Sequence, residues 1–178
     1  MAEPVPADEE APLEPLNLAP VARVLTVIGF VLVVVSAFLE WAGRNFPRSF
    51  GGMEVPAKFL VDSKSNLDGA GLPLGVVVLV IGAVGLVGAL APIPRRTLLV
   101  WVAGALAAAV PLVFLYQLND FMDRFNRVFG PGGFGARNTV GFGAVLCGFG
   151  GVVTLAGAAL GLYVARRPDT SGSDRREP

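Results

Sequence analysis

Glu40 is the residue of this sequence best placed for membrane chemistry, because it is an ionisable side chain at the end of a long apolar run. Ion-coupled transporters keep such groups within their membrane helices, where they are expensive to bury and are therefore retained for function. Glu40 stands beside Trp41 at the end of the run and not in its middle. An interfacial charge is the simpler interpretation, and a coupling carboxylate is the functional alternative.

No other group of residues suggests a reaction. The chain has no histidine, which removes the usual general base near neutral pH and the commonest metal ligand. Its one cysteine, Cys147, lies in an apolar run, where we expect a buried and inert thiol. The loop carboxylates, which have no calcium-loop spacing, are Glu54, Asp62, Asp68, Asp120 and Asp123. We therefore predict no catalytic, cofactor-binding or metal site, and a protein that is not an enzyme.

The composition predicts membrane helices to carry these residues. Hydrophobic residues make up 53% of the 178-residue chain and charged residues 16%, whereas about 25% charged is typical of soluble domains. Runs 69–94, 97–119 and 138–165 contain no charge and exceed the roughly eighteen residues that indicate a membrane helix. Run 24–39 reaches that length with its flanks, since Arg can snorkel and Trp prefers the interface. The formal charge of +0 gives no basic surface for nucleic acid.

The runs predict an all-α membrane protein, an antiparallel bundle of four transmembrane helices over residues 20–165. The expected helices are about 20–41, 70–92, 97–118 and 139–165, and the outer loops, which form a small extracytoplasmic cap, are 42–69 and 119–138. We expect disordered tails at 1–19, which is acidic, and at 166–178.

Two loop segments carry local patterns. Residues 53–62 partly alternate between apolar and polar, which predicts a short edge strand or hairpin, although Pro56 argues against a central strand. Residues 118–129 place apolar side chains at three- and four-residue spacing. That spacing predicts a separate amphipathic helix that lies on the membrane surface or caps the bundle.

Basic and aromatic residues predict the orientation. The arginine pairs at 95–96 and 166–167 sit directly at helix ends, where basic residues weigh most in the positive-inside rule. We therefore predict a multi-pass protein of the plasma membrane with both termini in the cytoplasm. Trp41 and Tyr116 would anchor the outer interface, and Trp101 and Tyr163 the inner one.

Glycines mark the predicted helix contacts. They are the GxxxG pairs Gly71 with Gly75 and Gly157 with Gly161, and the three-residue repeat Gly82, Gly85 and Gly88. Small residues at such spacing let helix backbones approach closely. We favour packing within one four-helix bundle, and docking onto a partner protein is the functional alternative.

Short motifs give a resemblance over residues 20–165. They are FLEW at 38–41, GAGLPLG at 69–75, a Pro/Arg hairpin at 92–96 and VGFG at 140–143. With these the chain resembles a broad group of small, mostly uncharacterised four-helix membrane proteins of actinobacteria, and the tryptophan-operon-associated membrane proteins are similar in architecture. The group often has Leu-Pro-Trp where this chain has Leu39–Glu40–Trp41. The resemblance implies topology and no activity.

The function expected from these features is non-enzymatic. The chain would be an accessory, scaffolding or envelope-associated subunit that acts through helix packing and contacts of its phenylalanine-rich outer loops. Its partners would be the lipid bilayer and either another membrane protein or further copies of itself. The alternative is a small oligomeric transporter or exporter, in which Glu40 would be the coupling residue.

Overall fold

The protein is a bundle of four helices with a small two-stranded sheet. A computed structural model describes residues 18–43, 49–62, 70–91, 96–130 and 140–166. Its elements are α1 (Leu18–Ser36), β1 (Glu40–Ala42), β2 (Phe50–Gly51), a 3₁₀ helix (Ala57–Leu60), α2 (Leu74–Leu90), α3 (Arg96–Phe129) and α4 (Phe142–Ala165). The predicted all-α class is confirmed. The segments expected to be disordered tails lie almost wholly outside the described residues.

Each helix packs on two neighbours, and the contact between α1 and α4 is the most extensive. The two ends of the bundle differ in structure. At the capped end, α1 finishes, α2 and α4 begin, and the antiparallel strands β1 and β2 pair. At the open end lie the start of α1, the end of α2, the start of α3 and the end of α4.

Glycines bring the backbones of α1 and α4 into direct contact. A Cβ atom on Gly29 would lie 2.7 Å from the carbonyl oxygen of Gly150, and a Cβ on Gly150 would lie 2.7 Å from the carbonyl oxygen of Gly29. Two turns further along α4, a Cβ on Gly157 would lie 2.8 Å from the backbone nitrogen of Thr26. Real Cβ atoms do not approach backbone so closely, so a larger residue forces the helices apart.

The remaining helix contacts follow the same rule. A Cβ on Gly82 would meet Val34, a Cβ on Gly85 would overlap the ring of Phe30, and a Cβ on Gly151 would lie 2.5 Å from the backbone nitrogen of Ala108. The small residues of the helices therefore face inward. Larger apolar side chains, among them Val24, Val84, Leu106 and Phe149, face outward and are exposed.

Two predicted helix boundaries and one predicted hairpin are wrong. α1 stops at Ser36, since the next amides bond three residues back, as in Ala37 N–H to Val34 O, and Glu40 and Trp41 form β1. α2 begins at Leu74 because Pro73 occupies its N-cap in an extended conformation. The hairpin predicted within 53–62 is also wrong, because that segment forms a turn and the 3₁₀ helix while β1 pairs with β2.

The amphipathic segment 118–129 is a continuation of α3 and not a separate helix. α3 runs without interruption for 34 residues, with Pro111 in its interior. Leu118 and Met122 are buried and extend the apolar face that Phe114 begins, so nothing turns the chain at the predicted boundary.

Three described helices, α1, α3 and α4, are long and apolar enough to cross a membrane, judged by length and composition. α2 is equally apolar but shorter, with 17 residues.

We expect Gly29→Ala and Gly150→Ala each to lower the free energy of unfolding by about 1–3 kcal/mol, the usual cost of overpacking, because each new Cβ would meet backbone. Thermal unfolding in detergent, followed by circular dichroism, checks this. Gly161→Ala is the matched control, because its Cβ would meet only the Cβ of Ala22, at 3.8 Å. Similar losses in all three variants would contradict the proposed contact.

Candidate functional site

Trp41 is the centre of the capped end. Its side chain is 0% exposed, and its indole Nε1–H donates to the carbonyl oxygen of Ser36 at 2.8 Å. The ring lies edge-on to Phe114 of α3, with centroids 5.3 Å apart. Trp41 is therefore enclosed by protein, and its predicted role as an interface anchor is wrong, because the early end of α1 turns the ring inward.

The 3₁₀ helix closes the cap over this tryptophan. Phe59 is fully buried, and its ring centroid lies 5.8 Å from Phe114 and 6.1 Å from Phe121. The side chain of Gln117 donates from Nε2 to the carbonyl oxygen of Leu60 at 3.1 Å. α3 thus contributes Phe114, Gln117 and Phe121 to the cap.

The start of α4 is fixed to β1. The backbone N–H of Gly141 donates to the carbonyl oxygen of Trp41 at 2.9 Å, and Ala42 forms an isolated antiparallel bridge with Val140. A Cβ on Gly143 would lie 2.8 Å from the Nε1 atom of Trp41. The capped end is therefore a built structure in which loop, strand and helix ends are joined by hydrogen bonds.

Glu40 lies in this structure and not in a helix. Its side chain is half-buried, and its Oε1 atom is buried without a hydrogen-bond partner among the described residues. A buried carboxylate oxygen without a partner is costly, so packing alone does not account for Glu40 at this position.

The other predicted site residues are dispersed. Trp101 is half-buried near the start of α3, whereas Tyr116 and Tyr163 are exposed on helix faces. Gly75, Gly82, Gly85 and Gly157 face neighbouring elements at close range, and Gly88 and Gly161 have looser contacts. Gly71 lies before α2, which begins at Leu74, so it does not share a helix face with Gly75.

Cys147 is buried, as predicted. Its Sγ–H donates to the carbonyl oxygen of Ala107 at 3.4 Å. In a regular helix, the N–H of residue 111 would donate to this carbonyl, but Pro111 has no N–H. In the described part of the chain, no group of three or more His, Cys, Asp or Glu side chains could hold a metal ion.

A cleft of about 650 Å³ opens at the other end of the bundle, among the ends of all four helices. Its walls are mainly small and apolar, with Ala22, Gly88 and Gly161 among them, and its basic residues are Arg23 and Arg96. The side chain of Arg23 donates from Nη2 to the carbonyl oxygen of Leu90, at the end of α2, at 3.4 Å.

Sequence reasoning did not predict this cleft. Its two arginines were recognised only as topology signals at the helix ends, and the glycines were assigned to packing alone. Gly29 and Gly104 were also not predicted from the sequence as helix contacts. Both lie in uncharged helical runs, as do the glycines that were predicted.

Comparison with protein-family models, with curated proteins and with solved structures finds no match to this chain.

In a Trp101→Phe variant, Trp41 is the remaining tryptophan. We expect its fluorescence to be blue-shifted and poorly quenched by both aqueous iodide and brominated lipid, because protein atoms enclose the ring. Steady-state quenching in lipid vesicles checks this, and the Trp41→Phe variant, which retains the half-buried Trp101, is the reference. Strong quenching of Trp41 by brominated lipid would restore the interface-anchor prediction.

Proposed function

We propose that this chain is a non-enzymatic membrane protein that crosses the bilayer four times and acts as an accessory subunit through its capped end. The observation that supports membrane insertion is the arrangement of residue sizes. Gly29, Gly150 and Thr154 are buried between helices, whereas the exposed stripes carry large apolar side chains such as Val31, Val102 and Val152. Soluble proteins rarely expose such stripes over whole helices, and lipid is their natural solvent.

α2 is the proposed fourth span. Its 17 residues are the lower limit for a membrane helix and give about 25 Å of length at 1.5 Å per residue. Arg23, Arg96 and Arg166 all lie at the open end. By the positive-inside rule, we propose that the open end, and with it both termini, faces the cytoplasm of a plasma-membrane protein.

The length of α3 supports a role for the capped end. Its 34 residues extend about 50 Å, whereas the hydrocarbon core of a bilayer is about 30 Å thick. The excess carries the cap outside the membrane. The exposed apolar side chains there include Val61 after the 3₁₀ helix at 84% and Val128 near the end of α3 at 74%.

The cap is suited to binding because it is already ordered. Trp41, Phe59 and Phe114 fill its interior, so a partner would not have to order the chain on binding. Gly29, Gly82 and Gly150, in contrast, are occupied by contacts within the bundle. We therefore propose that a membrane or envelope protein contacts the cap and not a glycine face.

A photocrosslinking amino acid placed at Val61 or Val128 in living cells tests this function. We expect a discrete protein adduct at both positions, identified by mass spectrometry of the crosslinked peptides. Leu112 is the matched control, because it is 68% exposed but lies within the proposed span of α3, where lipid would surround it. Adducts at all three positions, or none at the cap, would contradict the proposal.

A small exporter is the second candidate function, and the unpartnered Oε1 atom of Glu40 favours it. In this proposal Glu40 is the coupling carboxylate of the exporter.

If Glu40 couples export to protons, cells that produce the chain should resist a lipophilic cation such as ethidium, and Glu40→Gln should remove that resistance, since an amide cannot titrate. Growth inhibition and ethidium efflux measure the effect. Glu54→Gln is the control, because the carboxylate of Glu54 accepts a local hydrogen bond from the N–H of Gly51 at the exposed surface. Equal resistance of the parent and Glu40→Gln would eliminate this candidate.

A further inference from the structure

The open-end cleft has the dimensions and walls of a ligand site. Its volume of about 650 Å³ lies within the range of about 300–1,000 Å³ that small-molecule sites occupy. Its wall on α4 includes Ala158 and Gly161, and Gly161 leaves space because a Cβ there would meet only the Cβ of Ala22, at 3.8 Å. Such a wall gives an apolar slot without any polar group that would fix a water-soluble ligand.

The charge of the cleft has one sign. Arg23 and Arg96 line it from α1 and α3, and the residues that line it in the described part of the chain include no aspartate or glutamate. A guanidinium group has five N–H donors, so the bond from Arg23 to Leu90 leaves donors for a second acceptor. α3 also begins at Arg96, where the first backbone N–H groups have no intrahelical partner and attract anions.

We propose that the open-end cleft binds one anionic phospholipid, with its phosphate between Arg23 and Arg96 and one acyl chain along the wall of α4. This inference rests on the membrane insertion proposed above, but not on a partner at the capped end. A basic pocket between membrane helices on the cytoplasmic side fits an anionic head group. Free phosphate would satisfy the arginines but would leave the apolar slot unfilled, which is why a lipid is the better occupant.

Native mass spectrometry of the full chain, released from detergent that contains equal amounts of phosphatidylglycerol and phosphatidylcholine, tests the proposal. We expect a single bound phosphatidylglycerol to dominate. In the double variant Arg23→Gln/Arg96→Gln, its affinity should fall about thirty-fold, the effect of removing two charges at the surface of an anionic membrane. Arg127→Gln is the matched control, since it removes one charge at the capped end, where its Nε donates to the carbonyl oxygen of Asp123.

Gly161→Leu separates a lipid from a free anion. The new apolar side chain would occupy part of the acyl slot while both arginines are retained, and its Cβ has room 3.8 Å from the Cβ of Ala22. We expect phosphatidylglycerol binding to fall at least tenfold in this variant. Inorganic phosphate at roughly 10 mM, a large excess over the lipid, should not displace phosphatidylglycerol from the parent chain. Undiminished binding in Gly161→Leu, or displacement by phosphate, would show a phosphate site and overturn the lipid proposal.

Two further results would overturn it: equal binding of the two lipids, and equal loss in Arg127→Gln. Extraction of membranes with alkaline carbonate is measured on the same variants. Release of the parent chain by carbonate would refute the proposed membrane insertion itself. If every variant stays in the membrane but lipid binding does not behave as expected, only the proposed lipid site is refuted.

Discussion

Gly29 and Gly150 bring the backbones of α1 and α4 into contact, and the positions of the other elements depend on that approach. In the bilayer that we propose as its environment, the hydrophobic effect would not drive the helices together, because acyl chains are as apolar as leucine. What remains is dispersion between closely packed atoms, which is weak for each pair and large in sum. The glycines allow many such pairs to form, so the helix pair acts as the axis on which α2 and α3 pack.

The two ends of the bundle use that axis differently. At the capped end, the short last turn of α1 directs Trp41 inward, and the ring becomes the surface on which Phe114, Gly143 and the start of α4 assemble. At the open end, hydrogen bonds such as that from Arg23 to Leu90 join the helix ends only locally, and the cleft remains between them. One end is therefore packed and the other accessible, although both belong to the same four helices.

The helices could be predicted from the sequence because run length and the lack of charge are local properties. Their ends could not, because contacts around them come from distant residues, as with the N–H of Gly141, which donates to the carbonyl oxygen of Trp41 just after α1. The continuity of α3 could have been predicted from the sequence, since Phe114, Leu118 and Met122 repeat at a constant spacing of four. In the structure they lie on one buried face. The cleft had no sequence signal of its own, because it arises where four helix ends diverge.

Cys147 has a consequence for laboratory work on this chain. Its thiol donates to the carbonyl oxygen of Ala107, which has no helical N–H partner because Pro111 lacks an N–H. Leaving a buried carbonyl without a hydrogen bond costs roughly one to several kcal/mol. Serine preserves a donor at this position, whereas alanine removes it. A cysteine-free background for site-specific labelling should therefore carry serine at position 147, and the native thiol, sealed between α3 and α4, will compete little with an introduced surface cysteine.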